Sequence, residues 1–199
     1  MQKAIIQSGS CPVAWPTGGF YPGAPAQTPY TSLTRSERNG TAIAATLGCS
    51  ARDLACLRRQ SVAKLLPLTP IDGLMAWGTP LVPHNPADAL RDGQFVHIPV
   101  LIGSNHDEMR FIIGGAIVKD PITAARYPTL VRTSYPTSAA AVLAQYPLSR
   151  YPNGAQAWTT VAQDGMWACP TLTGNPQLAA HTTVYGYEFD DPDAPNPPG

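Results

Sequence analysis

A chain of 199 residues with 44% hydrophobic residues is long enough for one sizeable domain with a core. Lysine plus arginine and aspartate plus glutamate number 13 each, so the zero net charge and the lack of a basic stripe exclude a nucleic-acid partner. Charged residues make up only 13% of the chain, its 22 prolines predict many rigid loops, and no long apolar run predicts a transmembrane segment.

The N-terminal half begins with a predicted strand. Ala4–Gln7 is a short apolar run, and the small residues Ser8-Gly9-Ser10 end it in a tight turn. The start of the chain lacks the apolar core and the cleavage site of a signal peptide. The pattern then predicts, in order, a loop over 11–31, helices over 32–47, 51–59 and 61–66, a turn over 69–74, an extended segment over 77–86 and a helix over 86–93.

Cys49 and Cys56 are spaced closely enough to close a small loop. A zinc site would need more ligands in a tighter arrangement, so we favour a disulfide, which indicates an oxidising compartment and hence a secreted or extracytoplasmic protein. Two buried thiols on neighbouring helical turns are the alternative.

Three polar residues follow the most apolar strand of the chain. Val100–Ile102 is an unbroken apolar run closed by Gly103, typical of a strand that is buried on both faces of a parallel sheet. His106, Asp107 and Glu108 come directly after it. Because ligands and chemistry collect at the carboxyl ends of parallel strands, these residues are the first candidates for a functional site.

The C-terminal half is predicted to be mostly helical. A helix over 109–113 should end at Gly114-Gly115, because glycine is a poor helix former. Tyrosine-proline pairs predict helix boundaries in this part of the chain. The later elements are helices over 123–127, 138–146, 155–168 and 172–181, a strand over 183–189 and a proline-rich loop over 190–199.

Five segments together resemble type B carboxylesterases, the cholinesterase and carboxylesterase family. They follow the family's order and are Ala4–Ser10, Cys49–Arg58, Asp72-Gly73, Gly103–Phe111 and Tyr187–Phe189. The resemblance covers almost the whole chain but less than half of a full family member. It implies an α/β class and, within it, part of an α/β-hydrolase fold.

The resemblance also implies roles for two residues. Glu108 matches the acid of a Ser-Glu-His triad, and Ser8 matches a serine whose hydroxyl lies against that acid. The simpler alternatives are that Asn105 or Asp107 caps a helix beginning near Glu108, and that Ser8 only satisfies turn backbone. Met109 departs from the family, which most often has glycine there, and this puts the entry into the helix in question.

The other two members of such a triad are not expected within this chain. The sequence contains no G-x-S-x-G nucleophile motif, and none of its four histidines stands in the family's Gly-x-x-His setting. His106 is too near Glu108 in sequence to be held by it. A metal site at His106, Asp107 and Glu108 is not favoured either, because adjacent residues at a helix start point in different directions.

We therefore interpret residues 1–199 as a single partial α/β-hydrolase domain that lacks the N-terminal sheet, the nucleophile elbow and the C-terminal histidine loop. The parent is expected to be a serine carboxylic ester hydrolase that acts on a small-molecule ester without metal or organic cofactor. The chain alone should be inactive, and its oligomeric state is not indicated. Two alternatives remain: a catalytically dead α/β-hydrolase-like binding or adhesion module, and a small extracytoplasmic domain that binds an apolar ligand.

Overall fold

The computed structural model describes residues 2–20, 23–68, 74–117, 121–191 and 193. The turn expected at Asp72-Gly73 and most of the loop expected over 190–199 lie outside these ranges. The strands are β1 (Ala4–Gln7), β2 (Tyr30–Ser32), β3 (Met75–Trp77), β4 (Val100–Asn105) and β5 (Val184–Phe189).

Helices make up most of the remaining regular structure. They are α1 (Leu33–Thr46), α2 (Leu54–Arg58), α3 (Val62–Leu65), α4 (Pro86–Arg91), α5 (Glu108–Ile117), α6 (Tyr127–Ser134), α7 (Ala139–Gln145), α8 (Gly154–Gln163) and α9 (Cys169–Ala179). A five-residue π-helix, Asp164–Ala168, links α8 to α9. Across the described ranges, no helix has the length and apolarity needed to cross a membrane.

The chain forms two compact units. The smaller unit, Thr28–Ala89, contains the parallel pair of β2 and β3. Ser32 caps α1, since its Oγ accepts the backbone N–H of Arg35 at 3.2 Å. The predicted disulfide between Cys49 and Cys56 is present in this unit.

The larger unit, Met1–Gln27 with Leu90–Gly199, is built on a three-stranded parallel sheet in the order β1-β4-β5. Its strands are aligned so that Ile5, Leu101 and Tyr185 lie side by side across the sheet. Long connections separate these strands in the chain, as parallel pairing requires. Helix and parallel-strand content together place the protein in the α/β class.

The two faces of this sheet differ in burial. On one face Val100 and Ile102 are buried in a small core with Leu90 of α4 and Leu178 of α9. On the other face Ile5, Leu101 and Tyr185 are 70%, 38% and 62% exposed. The sheet is therefore covered on one side only in the described structure.

A second core lies among the helices of the larger unit. Trp158 and Ala162 of α8 are fully buried against Met109 and Ile113 of α5. Tyr127 joins the same core, and its hydroxyl donates to the Tyr146 carbonyl at 2.7 Å. This core fixes α5 on α8, which positions the residues at the start of α5.

Three predicted helix boundaries were wrong. Helix α5 continues through Gly114, because packing on α8 outweighs the roughly 1 kcal/mol that glycine costs in a helix. Tyr127 begins α6 rather than ending a helix, since Pro128 lies in the first turn, where proline needs no N–H partner. Helix α9 likewise starts at Cys169 with Pro170 in its first turn.

Gly103 is the position in β4 where a side chain should be least tolerated. A Cβ there would lie 2.0 Å from the Tyr187 carbonyl oxygen, so we expect Gly103→Ala to destabilise the protein by about 1–3 kcal/mol in urea unfolding of a longer chain that unfolds cooperatively. Gly114→Ala is the control, because a Cβ at that helical position meets nothing within 4 Å. Equal midpoints for the two variants would contradict this prediction.

Candidate active site

Two neighbouring strands bring Ser8 and Glu108 together. Gln7 of β1 is in register with Gly103 of β4, and the Ser8 N–H extends the ladder by donating to the Gly103 carbonyl at 2.8 Å. Glu108 follows β4 as the first residue of α5. Both residues therefore lie at the carboxyl edge of the sheet, where they are half-buried.

One oxygen of the Glu108 carboxylate receives two hydrogen bonds. The Ser8 hydroxyl donates to Oε1, and the backbone N–H of Asn105 donates to the same atom at 2.8 Å. The second bond has the spacing of a capping box, in which a carboxylate in the first helical turn reaches back three residues. Oε2 has no hydrogen-bond partner among the described residues, so this oxygen remains able to accept one.

The backbone of Ser8 is unusual. Its φ of +55° lies in the left-handed region, and among the non-glycine residues of the described ranges it is the only one with a positive φ. This conformation costs a side-chain-bearing residue about 1 kcal/mol or more, so the surrounding contacts must hold it. The turn directs the Ser8 hydroxyl to Glu108.

Met109 does not disturb the entry into α5. Its side chain is completely buried in the core between α5 and α8. Its backbone N–H donates to Oε1 of Gln163 at 3.1 Å, and Nε2 of Gln163 donates to the Asn105 carbonyl at 3.3 Å. Sequence analysis missed Gln163, because no local pattern signals a contact between residues this far apart in the chain.

His106 and Asp107 interact with each other rather than with Glu108. His106 Nδ1 lies 3.4 Å from Asp107 Oδ2, and Arg110 Nε donates to Asp107 Oδ1 at 2.9 Å. The hydrogen bond to Asp107 raises the pKa of His106 above its ordinary 6.5. In the part of the chain that the structure describes, no group of three or more metal-ligating side chains could hold a metal ion.

Two other histidines pair with each other. His97 and His181 stack with ring centroids 5.4 Å apart, and both contact the edge or face of Phe95. His97 Nε2 also lies 3.0 Å from the Gly93 carbonyl oxygen. These contacts give both rings a packing role.

Comparison with known proteins shows which family this chain belongs to. The profile described as "Carboxylesterase family" matches residues 1–197, nearly the whole chain. The chain belongs to the carboxylesterase family. The resemblance seen in the sequence is thereby confirmed, and family membership implies an α/β-hydrolase fold.

Two curated proteins are similar to this chain. The cAMP-regulated D2 protein of Dictyostelium discoideum is 25% identical in a 176-residue alignment that covers 77% of this chain and 32% of that protein. The acylcarnitine hydrolase of Mus musculus is 25% identical in a 175-residue alignment that covers 79% of this chain and 31% of that protein. The chain thus spans about a third of the length of these relatives.

The His106–Asp107 pair should affect stability at acidic pH. Because the folded-state pKa of His106 is raised, its protonated form stabilises the fold below pH 6.5, and this contribution is lost as pH rises through the folded-state pKa. The effect should be small, since both side chains are exposed to solvent. We expect NMR titration of His106 to show a midpoint above 6.5 that falls in Asp107→Asn. A midpoint that Asp107→Asn leaves unchanged would rule out the pairing as the cause.

Proposed function

We propose that this chain is the acid-bearing part of a serine carboxylic ester hydrolase, with Glu108 as the triad acid. The observation that carries the proposal is the state of the Glu108 carboxylate, in which Oε1 is held by Ser8 and Asn105 while Oε2 is available. An acid of this kind must be fixed in orientation and must offer one oxygen to a histidine. The site meets both requirements.

In the proposed mechanism, each triad member has one task. A serine from outside residues 1–199 attacks the ester carbonyl, and a histidine, also from outside, takes the serine proton and returns it to the leaving alcohol. Oε2 of Glu108 accepts the other ring N–H of that histidine. The carboxylate thus selects the correct tautomer and stabilises the imidazolium. Water then releases the acyl group by the same proton transfers.

Ser8 serves this mechanism by orienting the carboxylate. Its hydroxyl donates to Oε1, which leaves Oε2 as the oxygen without a partner among the described residues. The left-handed backbone of Ser8 supports the assignment, because strained conformations are retained where function needs them. We expect Ser8 to position Glu108 without touching the substrate.

The exposed sheet face supports the proposal that the described sheet is part of a larger one. Parallel sheets are normally covered on both faces, yet Ile5, Leu101 and Tyr185 lie exposed together. Strands β1 and β5 are both edge strands of the described sheet. Additional chain that supplies further strands and a second helical layer would cover these apolar residues and edges. The disulfide favours a secreted or extracytoplasmic location for the parent.

Glu108→Gln tests the catalytic proposal in the extended protein that carries its serine and histidine. We expect turnover of a p-nitrophenyl ester to fall about ten-thousandfold, roughly 5 kcal/mol, as in a serine protease whose triad acid is replaced by its amide. The amide keeps the shape of the side chain, so folding should be unaffected. Glu37→Gln, on the exposed surface of α1, is the matched control. Turnover equal to that of the control would remove Glu108 from the mechanism.

Residues 1–199 alone test the partial-fold proposal. We expect no hydrolysis of a p-nitrophenyl ester above the buffer rate, binding of an apolar dye to the exposed sheet face, and a broad urea transition. Cooperative unfolding without dye binding would instead favour a self-contained domain.

A further inference from the structure

The first turn of α5 has a backbone donor that its own helix cannot satisfy. Helix α5 begins at Glu108, so the Met109 N–H is one of the initial N–H groups that lack an acceptor within the helix. Gln163 supplies that acceptor from α8, with its Oε1 at 3.1 Å. The Gln163 side chain therefore caps α5 from a different helix.

The same amide group also holds the end of β4. Nε2 of Gln163 donates to the carbonyl of Asn105, the last residue of the strand, at 3.3 Å. Gln163 thus spans the turn between β4 and α5, bonding to Asn105 on one side of Glu108 and to Met109 on the other. Asn105 in turn donates its N–H to Oε1 of Glu108 at 2.8 Å.

Gln163 is itself held rigidly. Its side chain is only 6% exposed, and the preceding residue, Ala162, is fully buried in the core between α5 and α8. The next residue, Asp164, opens the π-helix and accepts the Tyr146 hydroxyl at 2.5 Å. Burial and this hydrogen bond raise the pKa of Tyr146, so its hydroxyl keeps the proton that it donates. The buried Ala162 on one side and the hydrogen-bonded Asp164 on the other leave the side-chain amide of Gln163 little freedom to move.

We propose that Gln163 is a positioning residue for Glu108 and that it sets the direction of Oε2 by fixing both ends of the β4–α5 turn. The inference rests on the proposed function, in which Oε2 accepts a hydrogen bond from the catalytic histidine. A displacement of about 1 Å in such a contact is enough to lower a rate by up to roughly a hundredfold. Gln163 does not contact substrate and acts only through the turn.

The test compares Gln163→Met with Gln156→Met in the extended, active protein. Methionine matches glutamine in length but cannot make either hydrogen bond, and Gln156 is an exposed residue of the same helix. For Gln163→Met we expect kcat to fall at least about tenfold while KM stays within about twofold, since ground-state binding is not touched. The amide of Met109 should also exchange faster with solvent deuterium. Gln156→Met should change neither quantity.

Gln163→Glu provides a second variant with a distinct pH signature. When ionised, the new carboxylate still accepts the Met109 N–H but cannot donate to the Asn105 carbonyl. When protonated, it can make both bonds again. We therefore expect kcat relative to the unmodified enzyme to recover as pH is lowered, measured over the pH range in which the catalytic histidine is neutral in both proteins. A purely structural role would leave the ratio independent of pH.

The outcomes separate this inference from the proposed function. If both Gln163 variants match Gln156→Met in kcat and in Met109 exchange, the positioning role is overturned. Faster Met109 exchange with unchanged kcat also overturns it, and Glu108→Gln then decides whether the triad assignment fails as well. If Gln163→Met does not fold, Gln163→Glu decides: a ratio that recovers at low pH supports the role, and a flat ratio overturns it.

Discussion

The register between β1 and β4 is the constraint on which the candidate site depends. Because Gln7 lies opposite Gly103, the residue after β1 and the turn after β4 reach the same edge of the sheet. A slip of one residue would turn Ser8 to the opposite face, and its hydroxyl would no longer reach Glu108. The close approach of Tyr187 to Gly103 likewise fixes the register of β5 on β4.

The larger unit has a closed helical core that supports the site and a sheet face that is exposed in the described structure. The core between α5 and α8 is closed, with Met109 and Trp158 completely buried, and it carries the glutamine that bridges the turn before α5. The opposite sheet face exposes Leu101 and Tyr185. The site's local scaffold is thus complete within this chain, while the partners of Oε2 and of the apolar face are proposed to come from elsewhere in the parent.

Proline and tyrosine show where local patterns mislead. The pair Tyr127-Pro128 was interpreted as a helix end, because a residue before proline avoids the helical region. The structure instead places both residues in the first turn of α6, where the lost N–H has no consequence and Tyr127 packs into the core. A proline is compatible both with the end of one helix and with the first turn of the next, and here the burial of Tyr127 accompanies the second arrangement.

The sequence by itself determined the family, the strand that precedes Glu108 and the close pair of cysteines, because each depends on residues near one another in the chain or on a motif. The resemblance implied that the Ser8 hydroxyl lies against Glu108, and tertiary structure alone decided that it bonds to Oε1 and that Gln163 bridges the turn before α5. These contacts join residues 54 to 100 positions apart. Their geometry follows from strand register and from the packing of α8 on α5, and no local pattern encodes either one.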